Sequence, residues 1–283
     1  MNAGKLARDG ILILVLLIAG ASGALRAAEA APVPAPAETY YLLVFNQPVA
    51  GKEQEYNRWY DQQHAPDVVS VPGFVRAQRY MFASTQLRPA PAKPKYVVIY
   101  QIRTNDLAAV YAEVRRRLSS GETKISPTLD MDSGQNYTYR VLRPRLAGAQ
   151  PDSRAGDRAT VQGYAQLVFA DPATGKEAEF NSWYDAHHAP EVLKVAGFTS
   201  GQRLVLADVQ LAPQPGTRPK YLTMFELQTK DLPRTIAEFQ RLAPAMTPST
   251  AFDGTKVFGY TYQALGPPLS GDMVRGARAT STH

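Results

Sequence analysis

Cysteine is absent from the 283-residue chain, and tryptophan occurs only twice and histidine four times. Without cysteine, disulfides, thiolate metal sites, cysteine nucleophiles and c-type haem attachment are excluded. Hydrophobic residues make up 45% of the chain and charged residues 20%, a balance that excludes wholesale disorder. The formal net charge of +6 is mild and spread along the chain, so we expect no nucleic-acid partner.

Three well-known ligand and catalytic signatures are also missing. The chain has no G-x-G-x-x-G and no G-x-x-x-x-G-K-[ST] phosphate-binding pattern. It has no G-x-S-x-G nucleophile elbow either. The sequence therefore gives no support to nucleotide-dependent chemistry or to Ser/His/Asp hydrolysis.

The first thirty residues have the layout of a secretory signal peptide. Lys5 and Arg8 precede an apolar run over residues 11–19, and residues 28–30, Ala-Glu-Ala, supply a small-x-small cleavage pattern. The apolar run is shorter than the about 20 residues that a membrane span requires, and an uncleaved anchor is the competing interpretation. We expect residues 1–30 to be removed and the mature protein to be exported, most simply to a bacterial periplasm, with no membrane attachment after cleavage.

Most of the remaining chain is an internal repeat at an offset of 124 residues. Residues 55–79 and 179–203 are identical at 14 of 25 positions, and shorter matches lie on both sides. The sequence therefore predicts two homologous domains with short segments around them. The predicted bounds are a Pro/Ala leader at 31–38, a first repeat at 39–145, a linker at 146–161, a second repeat at 162–266 and a disordered tail at 267–283.

Each repeat has the same predicted order of elements, β-α-β-β-α-β. The first repeat has strands at 40–45, 74–83, 96–103 and 136–142, and helices at 52–64 and 107–118. Pro66 is expected to end the first helix, because the residue before a proline disfavours the helical conformation. The order is that of the ferredoxin-like fold, in which two helices cover one face of a four-stranded antiparallel sheet.

A single ferredoxin-like unit leaves the other face of its sheet bare. Two units on one chain can bury those faces against each other. We therefore predict an α+β fold in which the two repeats pack sheet to sheet around a central barrel, as an intramolecular pseudo-dimer. Further homo-oligomerisation stays open at this point.

The first helix of each repeat carries the candidate catalytic residues. Helical spacing places His64 close to Asp61, and the second repeat has the same pair as His188 and Asp185. A helix dipole favours a protonated imidazole at the helix C-terminus, the aspartate can fix its tautomer, and histidine titrates near neutral pH. The pattern predicts a general acid/base in each repeat. The competing interpretation is that each histidine only satisfies free carbonyl groups at the helix end.

Aromatic, amide and arginine side chains around this motif are candidate substrate-binding residues. They are Tyr60, Tyr184, Asn57, Asn181, Trp59, Trp183, Arg79 and Arg203. For the tryptophans and tyrosines, core packing is the competing interpretation and the favoured one. Neighbours in a strand point to opposite faces, so only one of Gln78 and Arg79 can face a cavity, and the same holds for Gln202 and Arg203. An arginine in a cavity suits a carboxylate or a phenolate.

Metal ligation is only weakly indicated. Asp61, His64 and Asp67 offer oxygen and nitrogen ligands at a spacing of three residues. Pro66 interrupts that helical spacing, and the second repeat has the same interruption at Pro190. We therefore predict no metal site.

The motif N-x-W-Y-D-x-x-H-x-P-(D/E)-V-(V/L)-x-V-x-G-F, followed by Q-R, resembles the EthD-like branch of the dimeric α/β-barrel superfamily. It covers residues 57–79 and again 181–203. The resemblance implies a small hydrophobic or aromatic substrate between the sheet and the helices of each unit. It also implies a histidine that acts as acid/base or hydrogen-bond donor. His64 and His188 match that histidine, and the tyrosines four residues earlier match its aromatic neighbour.

The superfamily includes cofactor-independent monooxygenases, polyketide cyclases and decarboxylases, muconolactone isomerases and haem-handling enzymes. We expect a cofactor-independent lyase, isomerase or cyclase that acts on a small aromatic or polyketide-like compound through His64 and His188. The first alternative is a haem protein with one histidine as axial ligand, since fused tandems also resemble chlorite dismutases and dye-decolourising peroxidases, although their motifs are absent here. The second alternative is a non-catalytic small-molecule carrier.

Overall fold

The computed structural model of the chain describes residues 36–89, 94–154, 160–213 and 219–280. The predicted signal peptide and most of the Pro/Ala leader lie outside the described residues. Of the helices within these ranges, none combines the length and the hydrophobicity that a membrane span needs.

The first half of the described chain runs from β1 to β4, and a short strand, β5, follows it. The elements are β1 (Glu38–Asn46), α1 (Glu53–Trp59), α2 (Ala65–Val69), β2 (Phe74–Phe82), β3 (Tyr96–Thr104), α3 (Leu107–Ser120), β4 (Gln135–Val141) and β5 (Leu146–Ala147). A π-helical turn at Tyr60–His64 joins α1 to α2. Asp106 caps α3 by accepting a hydrogen bond from the Ala109 amide at 2.9 Å.

The second half runs from β6 to β9 and is followed by a strand and a helix. The elements are β6 (Gln162–Pro172), α4 (Glu177–Trp183), α5 (Ala189–Val192), β7 (Phe198–Leu206), β8 (Tyr221–Thr229), α6 (Leu232–Leu242), β9 (Phe252–Ala264), β10 (Leu269–Ser270) and α7 (Gly271–Thr280). A π-helical turn at Tyr184–His188 joins α4 to α5. Both halves therefore have the predicted β-α-β-β-α-β order.

Eight strands close into one antiparallel barrel. The order is β2-β3-β1-β4 in the first half and β7-β8-β6-β9 in the second. The halves join at two seams, where β4 pairs with β7 and β9 pairs with β2, so Tyr139 lies opposite Leu206 and Ala264 opposite Tyr80. Closure gives each of the eight strands two neighbours and removes the exposed edges that a single unit would leave. The predicted fold, an intramolecular dimeric α/β barrel of ferredoxin-like units, is confirmed.

The barrel interior is filled by apolar side chains from both halves. Leu43 and Leu167 are completely buried there. The ring of Phe45 lies 6.4 Å from that of Phe169 and 6.1 Å from that of Tyr262, measured between centroids. Burial of each such side chain contributes about 1.5–3 kcal/mol. The helices cover the outer faces of the sheet, and the candidate site lies in that outer layer.

The sequence predicted that the first helix ends at Pro66, and this prediction is wrong. The helix continues to Val69 because the π-helical turn widens the helix just before the proline. The Ala65 amide bonds back to the carbonyl of Tyr60, five residues earlier. A wider turn makes room for the pyrrolidine ring and accommodates its missing amide hydrogen. The second half uses the same turn before Pro190.

The C-terminal segment is ordered over Leu269–Thr280, so the predicted disordered tail is wrong there. β10 pairs with β2, and α7 follows it against α2. The Arg275 guanidinium fixes α7 by donating to the carbonyl oxygens of Val69 at 2.8 Å and Phe74 at 3.0 Å. The segment thus satisfies carbonyl groups at the end of a helix and the start of a strand. In the predicted linker, the short strand β5 pairs antiparallel with β7.

Candidate functional site

A buried arginine ties the motif helix to the sheet in each half. In the first half, Arg79 Nη1 lies 2.5 Å from Asp61 Oδ1, and Nη2 donates to Asn57 Oδ1 at 2.7 Å. The guanidinium carbon lies 4.6 Å from the ring centroid of Tyr60, in cation–π contact. Arg79 is 5% exposed, so charge-assisted hydrogen bonds satisfy its two terminal nitrogens in place of water, while its Nε atom has no partner among the described residues.

The second half repeats this network. Arg203 Nη1 lies 2.5 Å from Asp185 Oδ1, and Nη2 donates to Asn181 Oδ1 at 2.7 Å. The guanidinium carbon lies 4.5 Å from the ring centroid of Tyr184. Arg143 also donates from Nε to the second oxygen of Asp185 at 2.8 Å. Eight of the twelve predicted site residues therefore belong to two equivalent packing networks.

Two predictions about these residues are wrong. Asp61 and Asp185 do not orient the histidines, because their carboxylates bind the buried arginines. The arginines do not face a substrate cavity, because β2 and β7 direct them under the motif helices while Gln78 points to the barrel interior beside Ile99. A buried guanidinium requires an acceptor, and the nearest carboxylate on the helix supplies it.

His64 lies in a closed aromatic environment. Its ring lies 4.7 Å from that of Trp59 at an interplanar angle of 30°, and it meets the edge of Tyr60 at 4.9 Å. Its Nδ1 atom is buried and has no hydrogen-bond partner among the described residues. Burial lowers the pKa of His64 to about 4, and the Arg79 guanidinium adds to the shift. The imidazole is therefore neutral at neutral pH.

His188 has nearly the same stacking. Its ring lies 4.7 Å from that of Trp183 at 25°, and 4.8 Å from that of Tyr184. Burial lowers the pKa of His188 to about 4; the Glu191 carboxylate opposes this shift and the Arg203 guanidinium adds to it. The predicted protonated imidazole at a helix end is wrong for both histidines, because the helix continues past them and burial disfavours the charged form.

The two halves differ in what lies beside the histidine. A cavity of about 560 Å³ opens in the second half between the sheet, the motif helix and α6. His188 and Trp183 line it, together with the aromatic rings of Phe225, Phe239 and Phe252. His188 makes no hydrogen bond to any residue in the described ranges. Of the predicted site residues, this cavity therefore brings together only His188 and Trp183.

The cavity exists because the apolar core of the second half is split. Val192, Phe225 and Phe239 pack in one cluster, and Trp183 and Phe252 pack in another. The cavity lies between these two clusters, because members of both line it. In the first half, the equivalent positions belong to one continuous cluster that includes Val68, Tyr100, Val114, Trp59 and Leu129.

Substitutions between the repeats contribute to this difference. In the first half, Tyr111 extends from α3 to the sheet and its hydroxyl lies 2.7 Å from Thr138 Oγ1. The equivalent residue of α6 is the shorter Ile236. There the equivalent threonine, Thr261, donates from Oγ1 to Gln166 Oε1 at 2.5 Å. A glutamine on the sheet thus satisfies the threonine, and the space that a tyrosine would fill remains open.

Gly259 allows the glutamine to lie flat on the sheet. A Cβ atom at this position would lie 2.5 Å from the Leu167 carbonyl oxygen and 3.1 Å from Gln166 Nε2. The first half has Asn136 at the equivalent position and Leu42 in place of the glutamine. Sequence reasoning missed Gln166, Phe239 and Gly259, although a comparison of the repeats position by position contains the signal.

The first half completes the cavity by contributing the loop after β2. Leu87 and Arg88 of that loop line the cavity. Gln86 fixes the loop on β9, accepting from the Thr261 amide at 2.8 Å and donating to its carbonyl oxygen at 2.8 Å. Gln240 of α6 donates to the Leu87 carbonyl oxygen at 3.0 Å. The site is therefore built from both halves of the chain.

The cavity fits haem in one respect only. The neutral His188 imidazole is the form that binds a metal. However, Arg88 is the single charged side chain among the described residues that line the cavity, whereas haem carries two carboxylates. Within the described ranges, no three His, Asp or Glu side chains are grouped so that they could hold a metal ion. The described residues of this cavity therefore do not fit haem.

Comparison with known proteins supports the fold. No family model matches the chain, and no curated protein matches it. Among solved structures, an anthrone oxidase-like protein matches with a TM-score of 0.51 and 12% identity, over 83% of this chain and 93% of that one. A candidate monooxygenase from Fusobacterium nucleatum subsp. nucleatum ATCC 25586 has a TM-score of 0.48 and 10% identity, over 82% and 94%.

A third match is the encapsulated DyP-type peroxidase from Mycobacterium smegmatis, with a TM-score of 0.40 and 12% identity, over 86% of this chain and 96% of that one. At these identities the likeness concerns the fold alone. Only the first of the three, with its TM-score above 0.5, bears on the fold. It agrees with a dimeric α/β barrel formed within one chain.

Proposed function

We propose that this chain is an exported, cofactor-independent enzyme of the lyase, isomerase or cyclase kind. It acts on a small aromatic or polyketide-like compound in the cavity of the second half, as the resemblance to the EthD-like branch implies. The observation that carries the proposal is the His188 imidazole, which is neutral, without a hydrogen-bond partner among the described residues, and on the wall of an aromatic cavity. Such cavities are the usual place for small-molecule ligands.

The chemistry common to these reactions is removal of a proton from an activated carbon or hydroxyl group. A neutral imidazole accepts that proton at Nδ1 or Nε2, and the electron pair left behind moves to the carbonyl oxygen of the substrate. Burial keeps the His188 imidazole uncharged before the step, and the imidazolium and the negative charge that develops on the substrate stabilise each other after it. Return of the proton to another atom completes an isomerisation or a cyclisation.

Deuterium exchange into anthrone tests this proposal. The name of the anthrone oxidase-like neighbour suggests anthrone as the probe. The methylene protons of anthrone are made acidic by its two aromatic rings and its carbonyl group. We expect the mature protein to accelerate exchange over buffer and His188→Gln to reduce that acceleration by about 10²–10⁴-fold. His64→Gln is the matched control and should keep the activity, because His64 is packed in a continuous core. Equal rates for wild type and His188→Gln would reject the proposal.

Two other functions are distinguished by direct measurements. A Soret band that saturates during titration with haemin and is lost in His188→Gln would favour the haem alternative. Tight aromatic binding without any exchange would favour a carrier. Export is tested by the N-terminal sequence of protein recovered from a bacterial periplasm, which we expect to begin after Ala30.

A further inference from the structure

Arg88 at the mouth of the cavity has no assigned partner within the part of the chain that the structure describes. It is exposed, and its guanidinium makes no hydrogen bond or ion pair with any residue in the described ranges. The other described residues of the cavity wall are apolar or uncharged. An unpaired guanidinium beside an aromatic cavity offers a bidentate donor to a carboxylate or to a phenolate oxygen.

The backbone that carries Arg88 is held firmly. The residue directly before it, Leu87, accepts a hydrogen bond from Gln240 of α6, and Gln86 bonds in both directions to Thr261 of β9. The guanidinium therefore projects from a fixed point on the rim, close to the sheet and to α6. A cation in a fixed place restricts the bound orientation of an anionic ligand at low entropic cost.

The equivalent loop of the second half is built in the same way without the cation. Gln210 accepts from the Thr138 amide at 2.9 Å and donates to its carbonyl oxygen at 2.9 Å. Leu211, like Leu87, accepts through its carbonyl oxygen, here from Arg115 at 3.0 Å. The next residue is Ala212, where the first loop has Arg88. The arginine is thus present on the loop that covers the open cavity, and alanine is present on the loop that covers the filled core.

A second polar group lies at the sheet end of the cavity. Gln166 is 1% exposed, and its Oε1 atom is used by Thr261. Its Nε2 atom has only a long contact, 3.5 Å, to the Leu167 carbonyl oxygen, which is at the limit of a hydrogen bond. A buried amide with an underused donor is suited to a carbonyl or hydroxyl oxygen of a ligand.

We infer that the cavity takes an anionic aromatic ligand, with its rings between the aromatic side chains, a carbonyl or hydroxyl oxygen toward Gln166, and a carboxylate or phenolate oxygen at Arg88. This inference rests on the proposed site in the second half and names the substrate class that the site selects. Arg88 is then a specificity-determining residue that one half supplies to the cavity of the other.

Calorimetric titration with two probes of equal shape tests the inference. The probes are 2-naphthoate, which is anionic, and 2-naphthamide, which is neutral. On the full mature chain we expect 2-naphthoate to bind more tightly than 2-naphthamide. Arg88→Ala, which copies Ala212, should raise the Kd of 2-naphthoate about tenfold and leave that of 2-naphthamide unchanged. Arg58→Ala removes an equal charge from an exposed site on α1 and should change neither.

Equal affinity for the two probes, or an Arg88→Ala variant with unchanged preference, would overturn the inference. A wild-type protein that binds neither probe would overturn it as well. Because Arg88 is exposed, we expect the variant to keep its circular dichroism spectrum and unfolding midpoint. If the wild-type protein does not accelerate anthrone exchange but binds 2-naphthoate in an Arg88-dependent way, the proposed enzyme is rejected and the anionic ligand class is kept. The two proposals can therefore fail separately.

Discussion

The two halves of the barrel have the same fold and the same motif but not the same interior. In the first half, the helices pack directly on the sheet through a continuous core that includes Tyr100 and Tyr111. In the second half, the same layer encloses a cavity of about 560 Å³. The difference depends on a few positions, among them Ile236 in place of a tyrosine and Gln166 in place of a leucine.

This comparison shows that the motif histidine does not make a site by itself. His64 and His188 stack on a tryptophan in the same way, and burial lowers the pKa of each to about 4. What distinguishes His188 is an adjoining space that a ligand can enter. Function in this fold is therefore decided by packing around the motif, and the motif alone predicts mainly the fold.

The largest expected difference between the halves is in the cost of truncating a core ring. Tyr100 and Phe225 occupy equivalent positions and are almost fully buried. The free energy of unfolding of Tyr100→Ala should be about 3–5 kcal/mol lower than that of Tyr100→Phe, which serves as the reference. Phe225→Ala should cost about 1–2 kcal/mol less, because one side of this ring already faces a cavity. Guanidinium unfolding measures both values.

Equal costs at the two positions would break the comparison, since they would mean that the second-half core is packed as tightly as the first. The Tyr100→Phe reference removes the contribution of the hydroxyl group, which lies 3.3 Å from that of Tyr60. Unchanged m-values across the series show that the variants unfold from comparable native states.

The pH dependence of stability should be shared by the halves. The pKa values of His64 and His188, about 4, lie below the 6.5 of an unperturbed histidine. Between these values the unfolded chain binds more protons than the folded one. The free energy of unfolding is therefore highest above pH 6.5 and falls as the pH drops toward 4, by about 3 kcal/mol for each histidine at most. Urea unfolding at a series of pH values measures this loss.

His64→Gln and His188→Gln should each remove about half of that histidine-linked loss, because both imidazoles are buried to a similar extent. A loss that disappears entirely with one variant would show that the other histidine is solvated in the folded state. Such a result for His188 would mean that water, rather than the aromatic wall of the cavity, surrounds its imidazole in the folded state.

Much of the fold could be predicted from the sequence, because the repeat and its element order are local and periodic. The barrel follows from the bare sheet faces of two units on one chain. The continuation of the helix past Pro66 could not be predicted, since nothing in the composition of residues 60–64 indicates a π-helical turn. The ordered tail depends on Arg275 meeting carbonyl groups about two hundred residues away along the chain, which local patterns do not show.

The site could be predicted only in part. Helical spacing placed Asp61 near His64, but a buried guanidinium from β2 competes for the carboxylate and binds it. Trp183 and His188 were identified, whereas Gln166 and Arg88 were missed because neither lies in the motif. Which half is open depends on side-chain volumes across the sheet and α6. Spacing along one helix contains no information about those volumes.

The stoichiometry of 2-naphthoate binding tests the central claim most directly, namely that the second half alone holds the site. Calorimetry on the wild-type chain should give one ligand per chain. The double variant Ile236→Tyr with Gln166→Leu, which copies Tyr111 and Leu42, should place a ring across the sheet end of the cavity and abolish binding while the unfolding midpoint is kept. Two ligands per chain, or undiminished binding by the folded double variant, would contradict the account.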